Sequence, residues 1–197
     1  MKAENRMDTL TVRDIDVNDK RVLVRVDFNV PLNVDGDITD DGRIRASIPT
    51  IEYLVERGAK VILMSHMGRP DGRITPSLSL KVTADRLSRL MRHPVSFIDA
   101  CIGSSVEQAV GQLKSGDILL LENLRFHPEE ESNDSEFSDY LARLGEVFVD
   151  DAFGTAHRSH ASIVGVTRHL PAVAGLLLEK ELNSLGHILQ NPARPFC

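Results

Sequence analysis

RVLVRVDFNVPL, residues 21–32, decides the fold. It opens on a β-branched apolar run, Val22, Leu23, Val24 and Val26. A strand covered on both faces reads this way, because helices lie on each side of a parallel sheet. Asp27 and Asn29 then crowd its far end. Pro31 has no N–H for a ladder, so pairing is expected to stop there. Such a strand carries an acid and an amide to its C-terminal tip, the edge of an open α/β sheet at which ligands bind.

Working outward, residues 1–20 read as a polar surface lead-in. After the strand, VDGDITDDG is a turn-rich loop. Ile44, Ile48, Ile51 and Val55 then mark one face of a helix closed by Gly58. Pro49 interrupts it, so the helix either bends there or begins near Ser47. Val61–Met64 is a second buried strand, leading into Ser65, His66, Met67, Gly68, Arg69 and Pro70. Leu80, Ala84, Leu87 and Met91 give a second helix, and Val95–Ile98 a short third strand. Ser104 and Glu107 form a capping-box signature ahead of Val106, Ala109, Val110 and Leu113.

Asp117–Leu121 is a fourth strand, ending in Glu122, Asn123, Leu124 and Arg125. Residues 126–133 read as an acidic loop. Asn133 with Glu136 is expected to start a helix with Phe137, Leu141 and Leu144 inside. Val147–Val149 is a fifth strand, running into a loop that holds Gly154, His157 and Arg158. Val173–Leu177 gives a sixth strand. Leu178, Leu182, Leu185 and Leu189 mark a last helix that stops before Pro192. This alternation predicts an α/β fold: a Rossmann-like, doubly wound sheet of about six mainly parallel strands with helices on both faces.

Bulk properties narrow the function. A length of 197 residues favours one good-sized domain. A net charge of −6 argues against a nucleic-acid partner. The two cysteines, Cys101 and Cys197, have no metal spacing and suggest no disulfide framework, which favours a reducing cytoplasm. Neither an apolar leader nor a run of ~18 apolar residues is present, against secretion and a membrane partner.

The functional signal lies in the residues just beyond each strand. Asp27 and Asn29 come after the first, His66 and Arg69 after the second, Arg125 after the fourth, His157 and Arg158 after the fifth. In a parallel sheet these tips share one edge. An acidic chain has gathered three arginines and two histidines on one rim, with Arg43 placed to join them. Guanidinium forks suit carboxylate and phosphate oxygens, so the expected ligand is small and at least doubly anionic. Each residue also has a plainer reading. A single arginine after a strand is more often a surface or ion-pair residue. Arg25, costly inside a strand unless paired, fits either a cleft or a buried carboxylate. Asp27 fits an Asx turn. His157 and His160 lie three apart near Asp150 and Asp151, but on a loop, so no metal is expected.

RVDFNVP (25–31), RIRA (43–46), LMSHMGRP (63–70), LLLENLRFH (119–127) and DDAFGTAHRSH (150–160) together resemble the N-terminal half of phosphoglycerate kinase. The resemblance runs from about residue 10 to the end. It implies a cytoplasmic, monomeric glycolytic enzyme moving a phosphoryl group between 1,3-bisphosphoglycerate and ADP. In that family the N-terminal half binds phosphoglycerate and the C-terminal half binds Mg-ATP/ADP. Matched residue by residue, Asp27 and Asn29 fall at the acid's hydroxyl and carboxyl end. His66, Arg69, Arg125 and Arg158 form the 3-phosphate patch, with Arg25 and His157 in support, and Phe28, Met67 and Gly68 fall at further substrate-binding positions. Arg43 is the matched catalytic arginine.

The sequence has no GxxxxGK[ST] and no GxGxxG, and the family's chain is about twice as long. The resemblance therefore implies a substrate-binding domain over 1–178. Residues 179–197 are then an interdomain helix and the start of a connection to a nucleotide-binding C-terminal domain, the expected partner. No nucleotide or metal site is expected here, and no turnover by 1–197 alone. The competing readings are a stand-alone anion-binding module and a nucleotide-binding regulator.

Overall fold

A computed structural model describes residues 9–190, with only the backbone described at 187–190. The expectations for residues 1–8, for Leu189 and for 191–197 fall outside the residues so described.

Six parallel strands form one sheet in the order β3-β4-β2-β1-β5-β6. They are β1 (Arg21–Arg25), β2 (Lys60–Met64), β3 (Val95–Phe97), β4 (Ile118–Leu120), β5 (Val147–Asp150) and β6 (Ala172–Ala174). The doubly wound α/β expectation holds, and the sheet is wholly parallel. The helices are α1 (Gly42–Glu56), α2 (Lys81–Met91), α3 (Ser104–Gly111), α4 (Pro128–Ser132), α5 (Ser135–Arg143) and α6 (Leu176–Gln190).

Strand alternation sorts the core into two layers. Val22, Val24, Val61, Leu63, Ile118, Leu120 and Val149 face one side, with Ile44, Ile51 and Leu54 of α1 and Ala84 and Leu87 of α2. Leu23, Ile62, Met64, Leu119 and Phe148 face the other, with Val106 and Val110 of α3 and Phe137 and Leu141 of α5. Burying a Val, Leu, Ile or Phe side chain contributes about 1.5–3 kcal/mol. Both faces therefore stabilise the sheet, and a register slip would exchange the two sets.

The central strands end level. Arg25 lies opposite Met64 on one side and Asp150 on the other, and Asp150 lies opposite Ala174. Neighbours then send the chain to opposite faces at two places. β2 leads to α2 and β4 to α5; β1 leads to α1, whereas the segment after β5 packs Ala161 and Val166 on the other face. Such reversals open crevices at the strand tips.

Several local expectations are corrected. β1 ends at Arg25, not at Pro31; Val26 N–H still reaches the Met64 carbonyl, and the chain then turns away. Asp27 and Asn29 therefore stand on a loop beyond the strand. The lead-in is not wholly surface. Thr11 bridges Ala174, and Thr11, Val12 and Val17 are buried, so this segment covers the β6 edge. α1 starts at Gly42 and keeps Pro49 inside it.

Ser104 and Glu107 form no capping box. The N-cap is Gly103 at φ 103°, and no side chain caps the end. The cap of α5 is Asp134, whose carboxylate accepts from Phe137 N, and not Asn133, which ends α4 in the left-handed region. The acidic loop thus contains a short helix. The sixth strand ends at Ala174, and α6 already begins at Leu176.

Candidate functional site

The loop after β1 is built by local hydrogen bonds. Asp27 Oδ1 accepts from Asn29 N at 3.2 Å, the expected Asx turn. Its Oδ2 pairs with Arg43 Nη1 at 2.5 Å, which draws the first turn of α1 to the loop. Gly154, after β5, packs against the same carboxylate: a Cβ there would lie 3.0 Å from Oδ2. Phe28 is buried and donates its N–H to Ser65 Oγ at 2.9 Å.

The loops after β2 and β4 close on one another. Asn29 Oδ1 accepts from Gly68 N at 2.9 Å, and Gly68 O accepts from Arg125 Nη1 at 2.8 Å. Gly68 sits at φ 63°, and a Cβ there would lie 2.9 Å from Leu78 Cδ2. The left-handed backbone angle favours glycine, and a Cβ there would also force the end of the Leu78 side chain to move. Asn123, fully buried, clamps the same loop. Its Oδ1 accepts from Met67 N and Arg125 N, and its Nδ2 donates to Met67 O and Leu78 O.

Arg25 is 1% exposed at the tip of β1. Its Nε donates to Ser162 Oγ at 2.9 Å, its Nη1 to Val26 O, and its Nη2 lies 3.1 Å from His66 Nδ1. Glu130 Oε1 accepts from Ser162 Oγ at 2.6 Å, and Oε2 accepts from Ser162 N at 2.9 Å. Burial lowers the Arg25 pKa, and Glu130, Asp27 and Asp150 offset part of that. For Glu130 burial acts upward. The contacts with His160 and Ser162 and the charge of Arg25 outweigh it and hold the carboxyl below its usual range.

The cations converge. Burial, and then the charges of Arg25, Arg125, Arg158 and His160, push His66 down to about 2, so its ring is neutral. Arg125 is 4% exposed and lies 3.0 Å from Glu131 Oε1 through Nε, but not at hydrogen-bond angles. Among the described residues, its Nε and Nη2 and the Nε of Arg158 are buried donors without a hydrogen-bond partner. Such orphans are rare, because a lost hydrogen bond inside a protein costs about 1–3 kcal/mol. Two open cavities flank the cluster. One of about 470 Å³ touches Asn29, Met67 and Gly68; the other, about 200 Å³, lies against Asp27, Arg43, Asp151 and Gly154.

The structure thus joins Arg25, Asp27, Phe28, Asn29, Arg43, His66, Met67, Gly68 and Arg125 through direct contacts, with Arg158 in their electrostatic field. Arg69 and His157 are exposed on the same loops and do not join that network. Arg25 lies beneath the rim, already engaged at all three nitrogens. Sequence reasoning missed Ser65, Asn123, Glu130 and Ser162, all buried. The available signal was a polar residue closing an apolar run, which holds for Ser65 directly and for Asn123 one residue on, past Glu122.

Comparison with known proteins adds an independent line. A family model described as phosphoglycerate kinase matches residues 12–197. The chain is 58% identical over 186 residues to the phosphoglycerate kinase of Desulforudis audaxviator, covering 94% of this chain and 47% of that protein. It is 56% identical over 190 residues to that of Moorella thermoacetica, covering 96% and 48%. The solved phosphoglycerate kinase of Pyrococcus horikoshii superposes with a TM-score of 0.87 at 36% identity, over 94% of this chain and 47% of that one. That of Coxiella burnetii gives 0.84, also at 36%, over 95% and 46%. The chain spans about half the length of the relatives it matches.

Proposed function

The chain belongs to the phosphoglycerate kinase family, and from that premise we propose that its rim binds the phosphoglycerate of a phosphoryl transfer between 1,3-bisphosphoglycerate and ADP. The observation that carries the proposal is the set of buried donors on Arg125 and Arg158 that make no hydrogen bond. An anionic oxygen is the acceptor such donors require, and hydrogen bonds to charged groups contribute about 1.5–3 kcal/mol each.

In this reading Arg125, Arg158 and the exposed Arg69 hold the 3-phosphate, with His66 beside them and His157 at the margin. Met67 and Gly68 shape the wall, and Phe28 packs beneath it. At the other end Asn29 spends its Oδ1 on Gly68, which leaves its Nδ2 hydrogens for the acid's carboxylate. Asp27 accepts from the hydroxyl. Arg43 is 54% exposed and can swing from Asp27 to the phosphoryl group in flight. Phosphoryl transfer needs positioning and charge neutralisation more than covalent help from the protein.

The magnesium nucleotide belongs, on this reading, to the half of the relatives that this chain does not match. Among the described residues no group of three or more His, Cys, Asp or Glu side chains comes together to hold a metal ion. We assign residues 1–178 to the acid-binding domain and 179–197 to the connection toward the nucleotide domain. A cytoplasmic, monomeric enzyme remains part of the same proposal. No described helix is long and apolar enough to cross a membrane.

Calorimetry tests the assignment. The chain should bind 3-phosphoglycerate more tightly than glycerol 3-phosphate, which lacks the carboxylate. Arg69→Ala, at an exposed position, should weaken binding roughly tenfold, about 1.4 kcal/mol, with an unchanged amide fingerprint. Equal affinity for the two ligands, or no effect at Arg69, contradicts the assignment.

A further inference from the structure

Glu130 and Ser162 are fully buried and come from separate segments: α4, and a π-helical turn at Ala161–Gly165 after β5. They meet beneath the rim. Glu130 grips Ser162 by two hydrogen bonds, through its N–H and its hydroxyl. Since the Ser162 proton goes to Glu130, its Oγ is free to accept from Arg25 Nε. Arg25 is then fixed on its other side by Val26 O, and its Nη2 reaches His66 Nδ1 at 3.1 Å. A guanidinium has donors only. His66 Nδ1 must therefore be the acceptor, and the proton of the neutral ring sits on Nε2, which points away from Arg25.

We propose that Glu130 and Ser162 are positioning residues: through Arg25 they lock His66 as the neutral Nε2–H tautomer, a hydrogen-bond donor rather than a further cation in the anion site. The identity of the anion rests on the phosphoglycerate reading above. The groups bearing on His66 are Arg25, Arg125, Arg158 and His160, all cationic or able to become so, and they reinforce burial in keeping the ring neutral. Glu130, the carboxylate whose charge bears most on Arg25, is engaged by Ser162 and lies 3.6 Å from His160 Nδ1. Its charge is spent on Arg25 and not on protonating His66. A neutral donor adds direction to the site without adding to the repulsion among its arginines.

Long-range ¹⁵N–¹H correlation on the ligand-free chain reads the tautomer directly. His66 should show a pyrrole-type Nε2 and a pyridine-type Nδ1, unchanged between about pH 5 and 8. Ser162→Ala removes the bridge and should give averaged nitrogen shifts, with roughly tenfold weaker 3-phosphoglycerate binding. Glu130→Gln keeps shape and volume and should move both readouts the same way, should Ser162→Ala disturb the fold. A protonated Nδ1, an imidazolium in the parent, or two variants with the parent's tautomer would overturn the proposal. The tautomer is read without ligand, so the two readings fail separately. A parent with Nε2–H but no binding sinks the phosphoglycerate assignment and supports the positioning chain. A parent that binds with another tautomer sinks the positioning chain alone.

Discussion

Asp151 shows what a single residue contributes beside the site. It is fully buried at the end of β5, with Oδ1 accepting from Leu177 N in the first turn of α6. Burial pushes its pKa up to about 7, against the pull of the Thr50 hydroxyl and the Leu177 N–H. Between the ordinary value of 3.8 and about 7 the folded chain keeps a proton that the unfolded chain releases. That stabilisation is fully present below the lower value and is lost as pH rises through the upper one. Asp151→Asn lacks this dependence. Relative to the variant, the parent should lose up to about 1.4 kcal/mol per pH unit across that window, measured by urea unfolding. Parallel stability curves would contradict it. Gly68 makes a steric prediction. Gly68→Ala places a Cβ against Leu78 in a left-handed backbone and should cost about 1–2 kcal/mol, with weaker phosphoglycerate binding, because Asn29 and Arg125 both anchor on that glycine. At this scale legibility was uneven. Asp27, Asn29, His66 and Arg125 stood out as polar residues just beyond apolar runs. Glu130 and Ser162 sit in stretches that read as loop, where neither period nor spacing distinguishes a buried carboxylate from a solvated one.

Among the elements, what was legible was whatever hydrophobic burial controls. β1, β2, β4 and β5 are covered on both faces, and their apolar runs place them to within a few residues. Their ends were less legible, because hydrogen bonding at the tips decides them: β1 stops at Arg25 because its chain turns to engage Ser65 and Gly68. Helix starts were misread where one polar residue displaced another. Asn133 and Asp134 are both capable caps, but Asn133 is taken up in ending α4 at φ 55°. Asp134, in extended backbone, is left to cap α5 through Phe137 N at 2.8 Å. Asp134→Ala should therefore lower stability by about 1 kcal/mol, whereas Asn133→Gly, which relieves a left-handed residue, should cost much less. Thermal unfolding of the pair separates the two roles, and equal losses would refute the cap assignment.

For the molecule as a whole, the sheet order explains how an acidic chain makes a cationic site. Its net charge is −6, yet the level tips of β1, β2, β4 and β5 deliver three arginines, Arg25, Arg125 and Arg158, to one edge with the neutral His66. The strand order itself could not be read from the sequence, because each βαβ unit looks alike whichever neighbour it pairs with. The shared edge could be read, since every parallel strand ends on the same side. The central claim is that guanidinium and imidazole groups from four strand tips act as one anion site. Titration of the ¹⁵N-labelled chain with 3-phosphoglycerate tests it most directly. His66, Gly68, Arg125 and Arg158 should shift together along one saturating curve, with α3 and the far ends of the strands unmoved. Shifts scattered over separate faces, or distinct curves for Arg125 and Arg158, would contradict it.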